Sequence, residues 1–124
     1  MKVKNVKLNI QDEDAFINGI KQDMEKAVNG KEINRESVIS FESIATMKKF
    51  ITDERVRVIK AIKAHKPASI YELAKLLHRD AKNVSNDVHY LSDLGLVDIE
   101  KQDKGRAKTK PVVDYDKIVL EIAI

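Results

Sequence analysis

The stretch from Ser69 to Tyr115 constrains this chain more than any other. Residues 69–77, Ser-Ile-Tyr-Glu-Leu-Ala-Lys-Leu-Leu, read as a short amphipathic helix, and after a tight polar break residues 81–94 read as a second one. Gly95-Leu-Val then leads into a hairpin whose tip is Lys104-Gly-Arg-Ala-Lys. A short helix, a turn, a polar-faced helix and a basic hairpin, in that order, predict a winged helix-turn-helix. Such a module seats its second helix in the DNA major groove and lays the hairpin along the backbone.

The punctuation around this segment is consistent with that order. Thr52 before Asp53-Glu54 opens a helix with Val56, Ile59 and Ile62 on its inner face, and Lys66-Pro67 ends it. Ser69 and Glu72 form a Ser-x-x-Glu capping box, with Ile70, Leu73, Ala74 and Leu77 as the buried stripe behind it. Asp80 is placed to cap the second helix. On a helical wheel Val88 and Leu91 fall within about 40° of Val84, with Asp87 and Leu94 on one flank.

The opposite side of that helix is centred on Lys82, Asn86, His89 and Asp93, with Ser85 and Tyr90 at its edges and Asn83 in the first turn. Every amphipathic surface helix has a polar face. This one is set apart by its short, uncharged Ser and Asn side chains, where a merely solvated face favours Glu and Lys. Asn pairs bidentately with adenine, Lys donates to guanine, and Ser and His suit several base edges. Lys82, Asn83, Ser85, Asn86 and His89 are therefore the expected base-reading residues, because the N-terminal part of such a helix enters the groove. Tyr90 is expected to pack against the hairpin.

Net charge is only +3, but its distribution is uneven. Lys101, Lys104, Arg106, Lys108 and Lys110 face a single acid, Asp103, so residues 101–110 carry +4 and the rest of the chain −1. A local basic stripe suits phosphate contact, since each neutralised phosphate releases counterions. Arg79 in the turn and Lys63 on the preceding helix are further phosphate candidates. Gly105 would supply a left-handed residue at the hairpin tip.

The flanks predict α+β, mainly helical architecture: a strand–helix–strand extension before the winged helix-turn-helix and a strand after it. Val6, Leu8 and Ile10 alternate with polar residues, and Phe16, Ile17, Ile20, Met24, Ala27 and Val28 recur at helical spacing within 12–29. Residues 37–41 read as a second strand, and Ser43 caps a helix with Ile44, Met47, Phe50 and Ile51 facing inward. Ile118, Leu120, Ile122 and Ile124 alternate along a last strand. The domains expected are thus 1–52 for dimerisation or partner binding, 53–115 for DNA, and 116–124 in a dimer or extension sheet. An apolar edge strand needs a cover, from this chain or a twofold mate, which makes a homodimer the expectation.

Several function classes recede. With 43% apolar residues the chain can pack a core, and it has no cysteine for disulfides, thiolate metal sites or thiol nucleophiles. His65, His78 and His89 are scattered, the glycines form no phosphate loop, and Ser85 and His89 lack a third triad member. No enzyme, cofactor or metal is expected. No apolar run near Met1 is long enough for a signal peptide, so a cytoplasmic protein without membrane contact is expected.

Three runs carry a resemblance: Glu54-Arg-Val-Arg-Val-Ile-Lys-Ala-Ile, Ser69-Ile-Tyr-Glu-Leu-Ala, and Asp80-Ala-Lys-Asn-Val-Ser-Asn-Asp-Val-His-Tyr-Leu-Ser-Asp-Leu-Gly-Leu-Val. The chain resembles MarR-like transcriptional regulators of archaea and bacteria, and within them a group of small regulators, some described as antitoxin components. Ser40-Phe41-Glu42 and Val119-Leu-Glu-Ile match that group's strand positions, so the resemblance runs from about Ser40 to Ile124. It implies sequence-specific binding of double-stranded DNA, as a dimer on a palindrome. The alternative it leaves open is a winged helix used to hold a protein partner, as in a toxin–antitoxin pair, with the apolar surface of residues 13–29 as the binding face.

Overall fold

The structure, a computed structural model, describes residues 4–11, 21, 24, 37–102 and 108–124. Among these residues it is a mixed α/β protein with four helices and five strands. The chain forms two compact units, one of Met1–Lys48 with Tyr115–Ile124 and one of Lys49–Asp114.

The first unit is built on a parallel sheet. Strand β1 (Asn5–Ile10) lies between β2 (Ser37–Phe41) and β5 (Lys117–Ile122), and both neighbours run parallel to it. Register sets Leu8 beside Ile39 and Leu120, and Ile10 beside Phe41 and Ile122. Because laterally paired residues share a face, the side of the sheet that carries Val6, Leu8 and Ile10 is largely apolar. Val6, Leu8, Ile10 and Phe41 are buried there. The other side mixes Val38 and Val119 with polar residues, and on it Lys7 reaches Glu121 at 3.1 Å. The last strand therefore pairs within its own chain. Lys4 and Asp116 clasp the start of that pairing, each backbone N–H donating to an oxygen of the other residue.

A parallel β1–β2 pair needs a crossover connection. The helix expected over 12–29 lies outside the described residues except Lys21 and Met24, which are helical and exposed. Helix α1 (Ile44–Phe50) starts at Ser43, whose Oγ accepts from the Thr46 N–H at 3.1 Å. Its expected inward face is only partly covered. Ile44 in the first turn is exposed, Met47 and Phe50 are half-buried, and so is Ile51 just beyond the helix, because two turns give too short a stripe to enclose.

The second unit packs three helices and a hairpin. Helix α2 (Asp53–His65) is capped by Thr52, whose Oγ1 accepts from the Arg55 N–H. It ends at Lys66 in the left-handed region, φ 46°, immediately before Pro67. Its buried face is Val58, Ile59 and Ile62, and Val56 is only half-buried. The inner face is rotated from the expected one because the Arg55 side chain, 15% exposed, occupies part of it.

Helix α3 (Ile70–Leu77) begins with the expected Ser69 cap, its Oγ accepting from the Glu72 N–H. The Glu72 carboxylate returns the bond to the Ala68 N–H at 3.0 Å, one residue before the position a capping box uses. Helix α4 (Ala81–Leu94) buries Val84, Val88 and Leu91 completely and stops at Gly95, φ 86°. Asp80 occupies its N-cap position, yet its side chain makes no capping bond. Strands β3 (Asp98–Gln102) and β4 (Lys108–Val112) then pair antiparallel. Leu73, Leu77, Leu96 and Val97 complete the core, each fully buried aliphatic side chain contributing roughly 1.5–3 kcal/mol.

Candidate functional site

With Val84, Val88 and Leu91 turned inward, α4 presents Lys82, Asn83, Asn86, His89, Tyr90 and Asp93 to solvent, with Ser85 half-buried. All five expected base-reading residues thus lie on the solvent side or its margin. Asn86, His89, Tyr90 and Asp93 line a shallow depression along it. His89 Nδ1 lies 2.7 Å from the Ser85 carbonyl oxygen. A carbonyl only accepts, so Nδ1 carries the hydrogen and donates. In the neutral ring Nε2 is then an acceptor, suited to an amino group, and the protonated ring would donate from both nitrogens.

The helix is held by a network that the sequence pattern does not announce. Asp87, on the flank of the apolar stripe, accepts from Arg55 Nε at 3.2 Å and from Arg79 Nη1 at 2.9 Å. Arg55 also donates through Nη1 to the carbonyls of Lys49 and Phe50, and its guanidinium lies over the Tyr90 ring, 4.5 Å from the centroid. Arg79 lies 3.6 Å from Glu54 as well. One carboxylate therefore joins α2, the α3–α4 turn and α4. All three side chains are a quarter exposed or less, so screening by water is limited.

Two residues singled out in the sequence take part in this network. Arg79, expected at a phosphate, has its guanidinium engaged by Asp87 and positions α4. Tyr90, expected against the hairpin, stacks under Arg55. Nothing in the sequence pattern singles out Arg55 or Asp87 as an anchor of the fold. The only sequence signal is an acid beside an apolar stripe with arginines in neighbouring elements, and its pairing is long-range.

The basic stripe is also less uniform than its sequence. Lys101 is exposed and pairs across the hairpin with Thr109, whereas Lys110 is half-buried opposite Glu100. Alternation puts Lys101 and Lys110 on opposite faces. Lys110 and Glu100 line a small cavity together with Ile62 and Lys66. Lys108 opens β4 opposite Gln102, while Lys104, Gly105 and Arg106 lie outside the described residues. Lys63 is half-buried on α2.

A family model, HVO_A0114, matches residues 50–120, more than half of the chain. The chain belongs to the HVO_A0114 family. The match takes in α2, α3, α4, both hairpin strands and the start of β5, so the HVO_A0114 region contains Arg55, Arg79 and Asp87 together with the exposed face of α4. No curated protein matches the chain. Among the described residues, no group of three His, Cys, Asp or Glu side chains is placed to hold a metal, and no helix is long and apolar enough to cross a membrane.

Proposed function

We propose that residues 49–114 form a winged helix-turn-helix that binds double-stranded DNA in a sequence-specific manner, and that the protein is a dimeric transcriptional regulator of MarR-like type. The observation that carries this reading is the outer face of α4. Lys82, Asn83, Asn86 and His89 are exposed together on a helix whose inner face is fully buried and whose flank is pinned by Asp87. Such a face combines the donors and acceptors that base edges require with the rigidity that keeps them in register. In this role α3 crosses the backbone, α4 enters the major groove, and the β3–β4 hairpin is the wing.

Lys82, Asn83, Ser85, Asn86 and His89 are the base-reading residues of the proposal. Lys101, Lys104, Arg106 and Lys108 are its phosphate contacts. Lys110 has a smaller part, given its place beside Glu100 and the cavity. The deciding experiment is selection from a random-sequence duplex pool at two salt concentrations. Enrichment of a palindrome supports a dimeric, sequence-specific regulator. Salt-sensitive binding without enrichment overturns specificity. An absence of binding at low salt replaces the proposal with the protein-interaction reading, in which a winged helix holds a partner protein.

A further inference from the structure

We infer that the free edge of β5 is the surface through which two copies of this chain associate, by antiparallel pairing of β5 with itself about Val119. The inference builds on the dimer in the proposed function and specifies the surface that forms it. Strand β5 borders β1 on one side only, so among the described residues its other edge is open. The strand is apolar and exposed: Val119 is 39%, Leu120 47% and Ile122 43% accessible. An open, exposed, apolar edge recruits another strand unless charges or a cover prevent it.

The charges on β5 select the occupant. Lys117 and Glu121 are four residues apart and both lie on the face of the sheet that carries Lys7, opposite in sign. In a twofold antiparallel pair centred on Val119, each Lys117 stands across from Glu121 of the partner subunit. Ile118 then stands across from Leu120 of the partner subunit on the apolar face, and the two Val119 residues meet at the axis. Directly opposed residues share a face in an antiparallel pair, so the apolar side of one sheet continues into that of the other. Centring the pair on Leu120 would oppose Glu121 to an apolar Val119 and leave Lys117 facing Ala123, and a shift by one residue would join an apolar face to a polar one.

Glu121 can serve this pairing while keeping its intrachain bond. Its Oε2 accepts from Lys7 at 3.1 Å and its side chain is 56% exposed, leaving the other oxygen for a second cation. The far edge of the sheet makes no such offer. Strand β2 reads Ser-Val-Ile-Ser-Phe and contains no charged residue to set a register.

The test is a charge swap in the full chain, read by sedimentation equilibrium without DNA. Lys117→Glu turns both pairs into like-charge contacts and is expected to raise the dimer dissociation constant on the order of tenfold or more. Lys117→Glu combined with Glu121→Lys restores opposite charges in the same register and is expected to recover association. The swap also faces Lys7 with a lysine, so circular dichroism and thermal melting confirm folding, and Lys7→Glu added to the swap rebuilds that pair too. If the charge-matched variants stay as weak as Lys117→Glu while folded, the Val119-centred register is overturned. A dimer indifferent to Lys117→Glu overturns the β5 edge but leaves the proposed dimer standing, and a monomer at every concentration overturns both. DNA selection fails or succeeds independently of these outcomes.

Discussion

Removing the Asp87 carboxylate would leave the guanidinium groups of Arg55 and Arg79 without their shared acceptor in a site that water only partly reaches. Asp87→Ala is therefore expected to destabilise the protein by about 1–3 kcal/mol in urea denaturation, with Arg79→Ala costing less because Arg55 keeps its other bonds. On the outer face, Asn86→Ala or Lys82→Ala should leave stability nearly unchanged. Each should cost about 1–3 kcal/mol in binding to a selected duplex and relax base preference there, measured by competition with single-base variants. Together these two classes of variant separate what holds α4 from what α4 contacts in the proposed role. The buried stripe of Val84, Val88 and Leu91 was legible in sequence because helical periodicity is local. The partners of Asp87 were not, since Arg55 lies 32 residues away and only packing brings them together.

At the scale of elements, Gly95 terminates α4 with φ 86°, and a Cβ added there would meet no atom within 4 Å. The cost of Gly95→Ala is then backbone strain alone, about 1–2 kcal/mol, to be read from the denaturation midpoint. In the basic run of 101–110, Arg106→Ala or Lys108→Ala is expected to weaken binding to all duplexes alike and to flatten the salt dependence by about one unit per lost phosphate contact. Caps and strand alternation were visible in the chain because both depend on residues within a few positions of each other. Ser69 over Glu72 and the β5 alternation are examples. How a strand pairs is not local information. The parallel register of β5 on β1, the exposure of Ile44 and the placing of Lys101 and Lys110 on opposite hairpin faces all emerge only when separate elements meet.

At the scale of the whole molecule, a dimer on a palindrome would carry two α4 helices to half-sites one helical turn apart, roughly 34–36 Å. Lys117→Glu is then expected to lower affinity for the full palindrome and leave binding to a single half-site unchanged, a difference visible in gel-shift titrations of the two duplexes. The sheet has a second consequence, for the order in which the protein is made. Lys4 and Asp116, which clasp β1 to the lead into β5, are 112 residues apart, and the entire second unit is threaded between the strands they join. Synthesis runs from the N-terminus, so helices α2 to α4 and their hairpin, whose partners are close in sequence, can fold while β1 still waits for its second neighbour. The sticky strand β5 is the last of the five to leave the ribosome. By then β1 is present to receive one of its edges, which limits the time a nascent chain spends with both edges of β5 open to its neighbours.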